Sequence, residues 1–166
     1  MSTLEQTTTV KIPFAQAADF VETFFDKQTE PKGEIVIPLV LSGAGIGIPG
    51  MTLQKDVRLT LLRERGPNES IVFALHWEPK GGGAYPDFDG TLSIEEDETY
   101  DTCILRLRGS YQPPLGLTGK IFDLALGGRI AAATAKELLQ RLDGFLTRGY
   151  LEREQHKRLQ ILLRGA

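Results

Sequence analysis

The sequence of 166 residues predicts an α+β domain in which a curved antiparallel sheet of about six strands wraps around one long C-terminal helix. Three observations carry this. From Thr52 onward, four strand-like runs are divided by short connectors rich in Gly, Pro, Asn and Asp, the mark of consecutive antiparallel strands. An amphipathic helical pattern follows the first strand-like run directly. After Pro113 and Pro114 the chain is helical, with apolar residues at spacings of three and four. This order is not a βαβ series, so a parallel sheet is not expected.

The elements follow in turn. "TTTVKIP" is rich in β-branched residues and stops at Pro13, a short first strand. "FAQAADFVETFFDK" places Ala17, Phe20, Val21 and Phe24 on one helical face. "EIVIPLVLSG" reads as a strand, and Pro38 removes a ladder donor, which favours an edge or a bulge. "GAGIGIPGM", residues 43–51, is expected to be an irregular, mobile apolar loop. "TLQKDVRLTLLRE", "SIVFALHWEP", "DFDGTLSIEED" and "TCILRLRGSY" form the meander. Val57, Leu59 and Leu61 alternate with Arg58 and Thr60, and Cys103, Leu105 and Leu107 alternate with Thr102, Arg106 and Arg108. "IVFALHW" is apolar on nearly both faces. The final helix is expected from an N-cap at Thr118, with a buried stripe through Ile121, Leu124, Ala125, Gly128, Ala131, Ala132, Ala135, Leu138, Leu139, Leu142, Phe145 and Leu146. Residues 148–166 continue the pattern weakly, as a second helix or a frayed tail.

Composition limits the function classes. The chain is 41% hydrophobic and 25% charged, enough for a single domain over residues 1–166 with its core in 8–147. A net charge of -3 and a pI near 5.5 give no basic field for a phosphate backbone, so no nucleic-acid partner is expected. Cys103 is the one cysteine, which rules out an intramolecular disulfide and the usual thiolate metal spacings. No metal or cofactor is expected. No apolar run spans a bilayer, and the N-terminal segment lacks a signal-peptide pattern, so the expected location is cytoplasmic.

The order of elements, with "HWEP" at 76–79, "YPDFDGTLSI" at 85–94, "LRGSYQPPLG" at 107–116, "FDLALGGRIAAAT" at 122–134 and "LLQRL" at 138–142, resembles the START-like superfamily labelled SRPBCC. That superfamily includes birch-pollen-allergen-like proteins and polyketide cyclases. The likeness covers roughly residues 8–147 and is similar to a bacterial branch whose members largely lack an assigned function. It implies a helix-grip fold with an elongated apolar cavity between the sheet and the last helix, used for lipids, polyketides or other apolar molecules. The residues it implies along such a cavity are Trp77, Tyr85, Phe88, Cys103, Leu105, Tyr111, Phe122, Gly128, Ala131, Ala132 and Ala135.

Each candidate has a bland reading beside the functional one. The small face of Gly127, Gly128, Ala131, Ala132, Ala133 and Ala135 is either a cavity wall or simple close packing. Trp77, Tyr85, Phe88 and Tyr111 either line a pocket mouth or plug the core. His76 is able to titrate near neutral pH, but no carboxylate stands at orienting spacing along its strand. Lys120, Asp123 and Arg129 lie near the helix start, where Asp123 more readily reports helix docking than chemistry. Cys103 belongs to an apolar set and reads as an inert small hydrophobe.

Three functions stand against one another. The first is a binding protein for a small apolar or aromatic molecule, monomeric or homodimeric, for which membrane contact is not required. The second is a cyclase, dehydratase or hydrolase using Tyr111, His76 or Asp123 for acid and base steps. The third is an interaction scaffold whose contact surface is residues 43–51 or the tail, where Leu151, Leu159 and Leu162 share a face beside basic residues.

Overall fold

Residues that seek an alternating environment build the sheet, and their register fixes which side chains face inward. The computed structural model describes residues 2–67, 70–83, 85–112 and 124–165. In chain order the elements are β1 (Ser2–Val10), α1 (Phe14–Lys27), β2 (Ile35–Ser42), α2 (Gly43–Ile46), β3 (Thr52–Arg65), β4 (Ile71–Pro79), β5 (Asp87–Glu96), β6 (Cys103–Gln112) and α3 (Leu124–Arg164). The strands form one six-stranded antiparallel sheet in the order β1-β6-β5-β4-β3-β2. This is the expected α+β arrangement, with the meander β3 to β6 in sequence order and β1 returning to pair with β6.

The pattern-based expectations hold closely in the sheet. Val57, Leu59, Cys103, Leu105 and Leu107 are buried, as are Phe73, Leu75 and Trp77 of the doubly apolar strand. β2 is an edge strand, paired only with β3, and its Pro38 stands opposite Asp56. α1 buries the expected Ala17, Phe20, Val21 and Phe24, and adds Ala18 and Phe25.

α3 lies against β1, β2, β6, α1 and α2. Phe24 of α1 meets Phe145 edge-on at 5.5 Å, and the Arg153 guanidinium sits 4.3 Å over the Phe20 ring. A Cβ on Gly149 would come within 2.6 Å of Phe20, so the glycine lets α1 approach α3 closely.

Three expectations are corrected. Residues 43–51 are not wholly irregular: the Gly43–Ile46 turn of helix is capped by the Ser42 hydroxyl, which accepts from the Gly45 N–H at 3.3 Å. Ile46 buries its side chain and anchors that turn to the core. The tail is neither a second helix nor frayed, because α3 runs unbroken for 41 residues. Its last turns leave the domain, and Leu159, Ile161, Leu162 and Leu163 are exposed. Ala125 is exposed rather than part of the buried stripe, while Gly127 is buried. The expected N-cap at Thr118, together with Ile121, Phe122 and Asp123, lies outside the described residues.

Candidate functional site

The concave face of the sheet carries three aromatic residues in one row. Pairing places Leu59 beside Trp77, Trp77 beside Phe88, Phe88 beside Tyr111, and Tyr111 beside Ser2. Directly opposite residues in antiparallel strands point to the same face, so the row is a consequence of register alone. Trp77 and Phe88 stack with centroids 4.2 Å apart at 16°. The Trp77 indole N–H donates to the Pro86 carbonyl at 3.1 Å, which satisfies the only polar atom of a fully buried ring.

The next row holds Gly90 opposite Gly109. A Cβ on Gly90 would lie 2.5 Å from Phe88 Cζ, and one on Gly109 would lie 2.7 Å from the same atom. Phe88 therefore lies along the sheet over two residues without side chains, covering what would otherwise be bare backbone.

α3 faces this row with its small residues. A Cβ on Gly128 would stand 2.7 Å from the Tyr111 hydroxyl oxygen, so that hydroxyl occupies the space the glycine leaves. Ala131 and Ala135 are fully buried, whereas Gly128 and Ala132 are only half-buried. Cys103 and Leu105 are fully buried toward the far end of β6. The Cys103 thiol is pushed up to about 11, first by burial and then by the Asp97 and Asp143 carboxylates.

One hydroxyl pair interrupts the apolar interior. Tyr85, in the β4–β5 connector, is buried and its hydroxyl hydrogen-bonds the Thr134 hydroxyl of α3. Thr134 Oγ1 donates to the Ile130 carbonyl at 2.7 Å, which leaves its lone pairs to accept from the Tyr85 O–H. Burial pushes the Tyr85 phenol up to about 12, against the smaller lowering effect of Thr134. Tyr85 is thus a neutral donor at any ordinary pH. Sequence reasoning missed Thr134; its one signal was a hydroxyl set among alanines.

A groove of about 320 Å³ opens beside this interior, between α3 and the two edge strands. Gln6 of β1 and Leu41 of β2 reach it from the sheet, and Arg129, Ala132, Ala133 and Lys136 line it from α3. A second concavity of about 640 Å³ lies at the opposite end, between Phe14, Tyr100 and the acidic Glu96, Asp97 and Glu98.

The acid–base candidates do not converge. His76 projects from the other face of the sheet from Tyr111, and Asp123 lies outside the described residues. The expectation that His76 lacks an orienting carboxylate is corrected: Asp89, its direct partner on β5, places Oδ1 2.6 Å from His76 Nδ1. Glu78 Oε2 stands 4.0 Å from the other ring nitrogen. Nearby, partial burial raises the Asp87 carboxyl, with His76 acting in the opposite sense. On the same outer face Arg106 bridges Glu95, at 2.8 Å, and Glu5, and its hydrogen bonds hold the Glu95 carboxyl low. Among the described residues, no group of three His, Cys, Asp or Glu side chains is arranged to hold a metal ion.

Sheet and helix together define a helix-grip α+β protein. No family model matches the sequence, and no curated protein matches it significantly. Among solved structures, a START superfamily protein from Mycobacterium smegmatis superposes with a TM-score of 0.52 at 15% identity, covering 88% of this chain and 97% of that one. A protein from Bacillus thuringiensis gives 0.49 at 10% identity, with coverage of 90% and 99%. An aromatase/cyclase from a Streptomyces species gives 0.47 at 16% identity, with coverage of 92% and 94%. The chain has a START-like fold. Among the described residues, no helix is long and apolar enough to cross a membrane.

Proposed function

We propose that this chain binds a small, largely apolar or aromatic molecule between the concave face of the sheet and the N-terminal half of α3. The observation that carries the reading is the Trp77–Phe88–Tyr111 row, set against a helix face of Gly128, Ala131 and Ala135 with one buried hydroxyl pair. Aromatic rings supply broad apolar contact at low cost in rotamer entropy, and a single fixed hydroxyl pair orients a polar group of the guest. The edge groove is the way in, since Gln6 and Leu41 connect it to the concave face. Ala132 lines that entrance and Ala131 and Ala135 lie deeper, with Leu105 and Cys103 at the far end. Lipids, polyketides and other apolar metabolites fit this chemistry.

Native mass spectrometry of the purified protein tests the proposal. A non-covalent adduct that disappears on denaturation is the expected result. Trp77 is the sole tryptophan, so its fluorescence reports on the site directly. An adduct-free protein whose Trp77 emission does not respond to the apolar dye anilinonaphthalene sulfonate would overturn the reading.

A further inference from the structure

β1 and β2 are the two edges of the sheet, and both pack against α3 without pairing with each other. The groove between them is bounded on α3 by positions 129, 132, 133, 136, 137 and 140, a single helical stripe. Its middle is apolar, formed by Ala132 and Ala133 facing residues 40 and 41 of β2. Its cations are Arg129 and Lys136, both exposed, two helical turns or ~10 Å apart along the axis.

Neither cation is neutralised. Among the described residues, Arg129 and Lys136 have no ion-pair or hydrogen-bond partner, whereas Arg58, Arg63, Lys80, Arg106 and Arg141 all have carboxylate partners. Glu137 is the one carboxylate among the described residues lining the groove, and Arg141 engages it at 3.1 Å. Arg129 also has a defined seat. Gly47 holds φ at +84°, and a Cβ there would come within 2.5 Å of Arg129 Nη1, so the guanidinium lies against the backbone that ends α2. Any side chain at position 47 would push it away.

We propose that this groove selects a monocarboxylate amphiphile, its carboxylate held by Arg129 with Lys136 adding to the field, and its apolar body lying over Ala132 and Ala133 toward the concave face. A planar guanidinium offers a carboxylate two parallel donors, which a hydroxyl or ester of the same shape does not use. A cationic amphiphile is repelled by the same pair. This inference rests on the small-molecule reading above and narrows its ligand class.

The test is isothermal titration with decanoate and with decanol, which share an apolar chain and differ in the charged group. The wild type is expected to bind decanoate roughly tenfold more tightly than decanol, with the preference shrinking as salt is raised. The R129Q/K136Q variant is expected to lose that preference and keep its affinity for decanol. The K11Q/R65Q variant, which removes equal charge elsewhere, is expected to keep the preference, and circular dichroism checks that each variant is folded. Equal binding of both probes to the wild type overturns the anion selectivity while leaving the binding reading intact. A preference that survives in R129Q/K136Q, or that vanishes in K11Q/R65Q, also overturns it. Failure of both probes to bind, with no adduct in native mass spectrometry, removes both readings together.

Discussion

Replacing Gly128 by alanine tests how α3 meets the sheet, because two opposing terms depend on one hydroxyl. Alanine in a helix interior is favoured over glycine by ~1 kcal/mol. Against this, the new Cβ would stand 2.7 Å from the Tyr111 hydroxyl oxygen, well inside normal contact. Tyr111 must shift or α3 must move, and overpacking of this kind costs ~1–3 kcal/mol. In the wild-type background the two terms leave G128A between neutral and about 2 kcal/mol destabilising. The next nearest atom is Tyr111 Cζ at 3.6 Å, an ordinary contact. With Tyr111→Phe in place the clash disappears, and the same substitution is expected to stabilise by ~1 kcal/mol. Urea denaturation of the wild type, both single variants and the double variant, followed by Trp77 fluorescence, measures the coupling. If G128A stabilises both backgrounds equally, the hydroxyl does not rest against Gly128 and the packing argument is wrong.

The remaining predictions concern the interior. Thr134→Val strands the buried Tyr85 hydroxyl and is expected to cost ~1–3 kcal/mol, whereas Tyr85→Phe leaves Thr134 bonded to Ile130 and costs ~1 kcal/mol; the double variant should cost less than their sum in the same denaturation assay. Gly90→Ala would place a Cβ 2.3 Å from the Arg108 carbonyl oxygen, which backbone pairing holds in place, so a loss of ~2 kcal/mol or more is expected in thermal melts. The contribution of Cys103 and Tyr85 to stability should be constant from neutral pH to about pH 9 and fall as pH rises toward 12, because their folded values are raised from 9.0 to about 11 and from 10.0 to about 12. In that window the unfolded chain releases protons first and is favoured; Y85F should flatten the upper part of the curve, and an unchanged curve would count against the burial argument. Cys103, fully buried and unpaired, should resist a thiol reagent until the protein is unfolded.

The sheet was legible because its chemistry is periodic. Residues 57–61 and 103–107 alternate, the connectors carry turn residues, and the edge position of β2 follows from one proline. α1 was equally plain, since an apolar face bounded by Pro13 leaves little choice of start. Short-range signals failed where tertiary support decides the outcome. The turn of helix at 43–46 exists because Ser42 caps it and Ile46 is buried, and neither fact shows in a glycine-rich string. The site was legible in kind more than in arrangement. The aromatics and the small helix face could be picked out, but only strand register shows that Trp77, Phe88 and Tyr111 form one row and that Asp89 faces His76. Arg129 and Lys136 look like ordinary surface charge until the two sheet edges are brought against the same helix.

α3 spans ~60 Å at 1.5 Å per residue, yet the domain grips it only as far as Arg153. Starting a helix is costly while extending one is nearly neutral, so the embedded part serves as a permanent nucleus for the turns beyond Arg153. Those turns are rich in Leu, Gln, Lys, Arg and Glu, which extend a helix well without tertiary contact. One continuous helix should therefore show two regimes of amide exchange, slow and cooperative with the sheet up to about Leu146, then progressively faster toward Arg164.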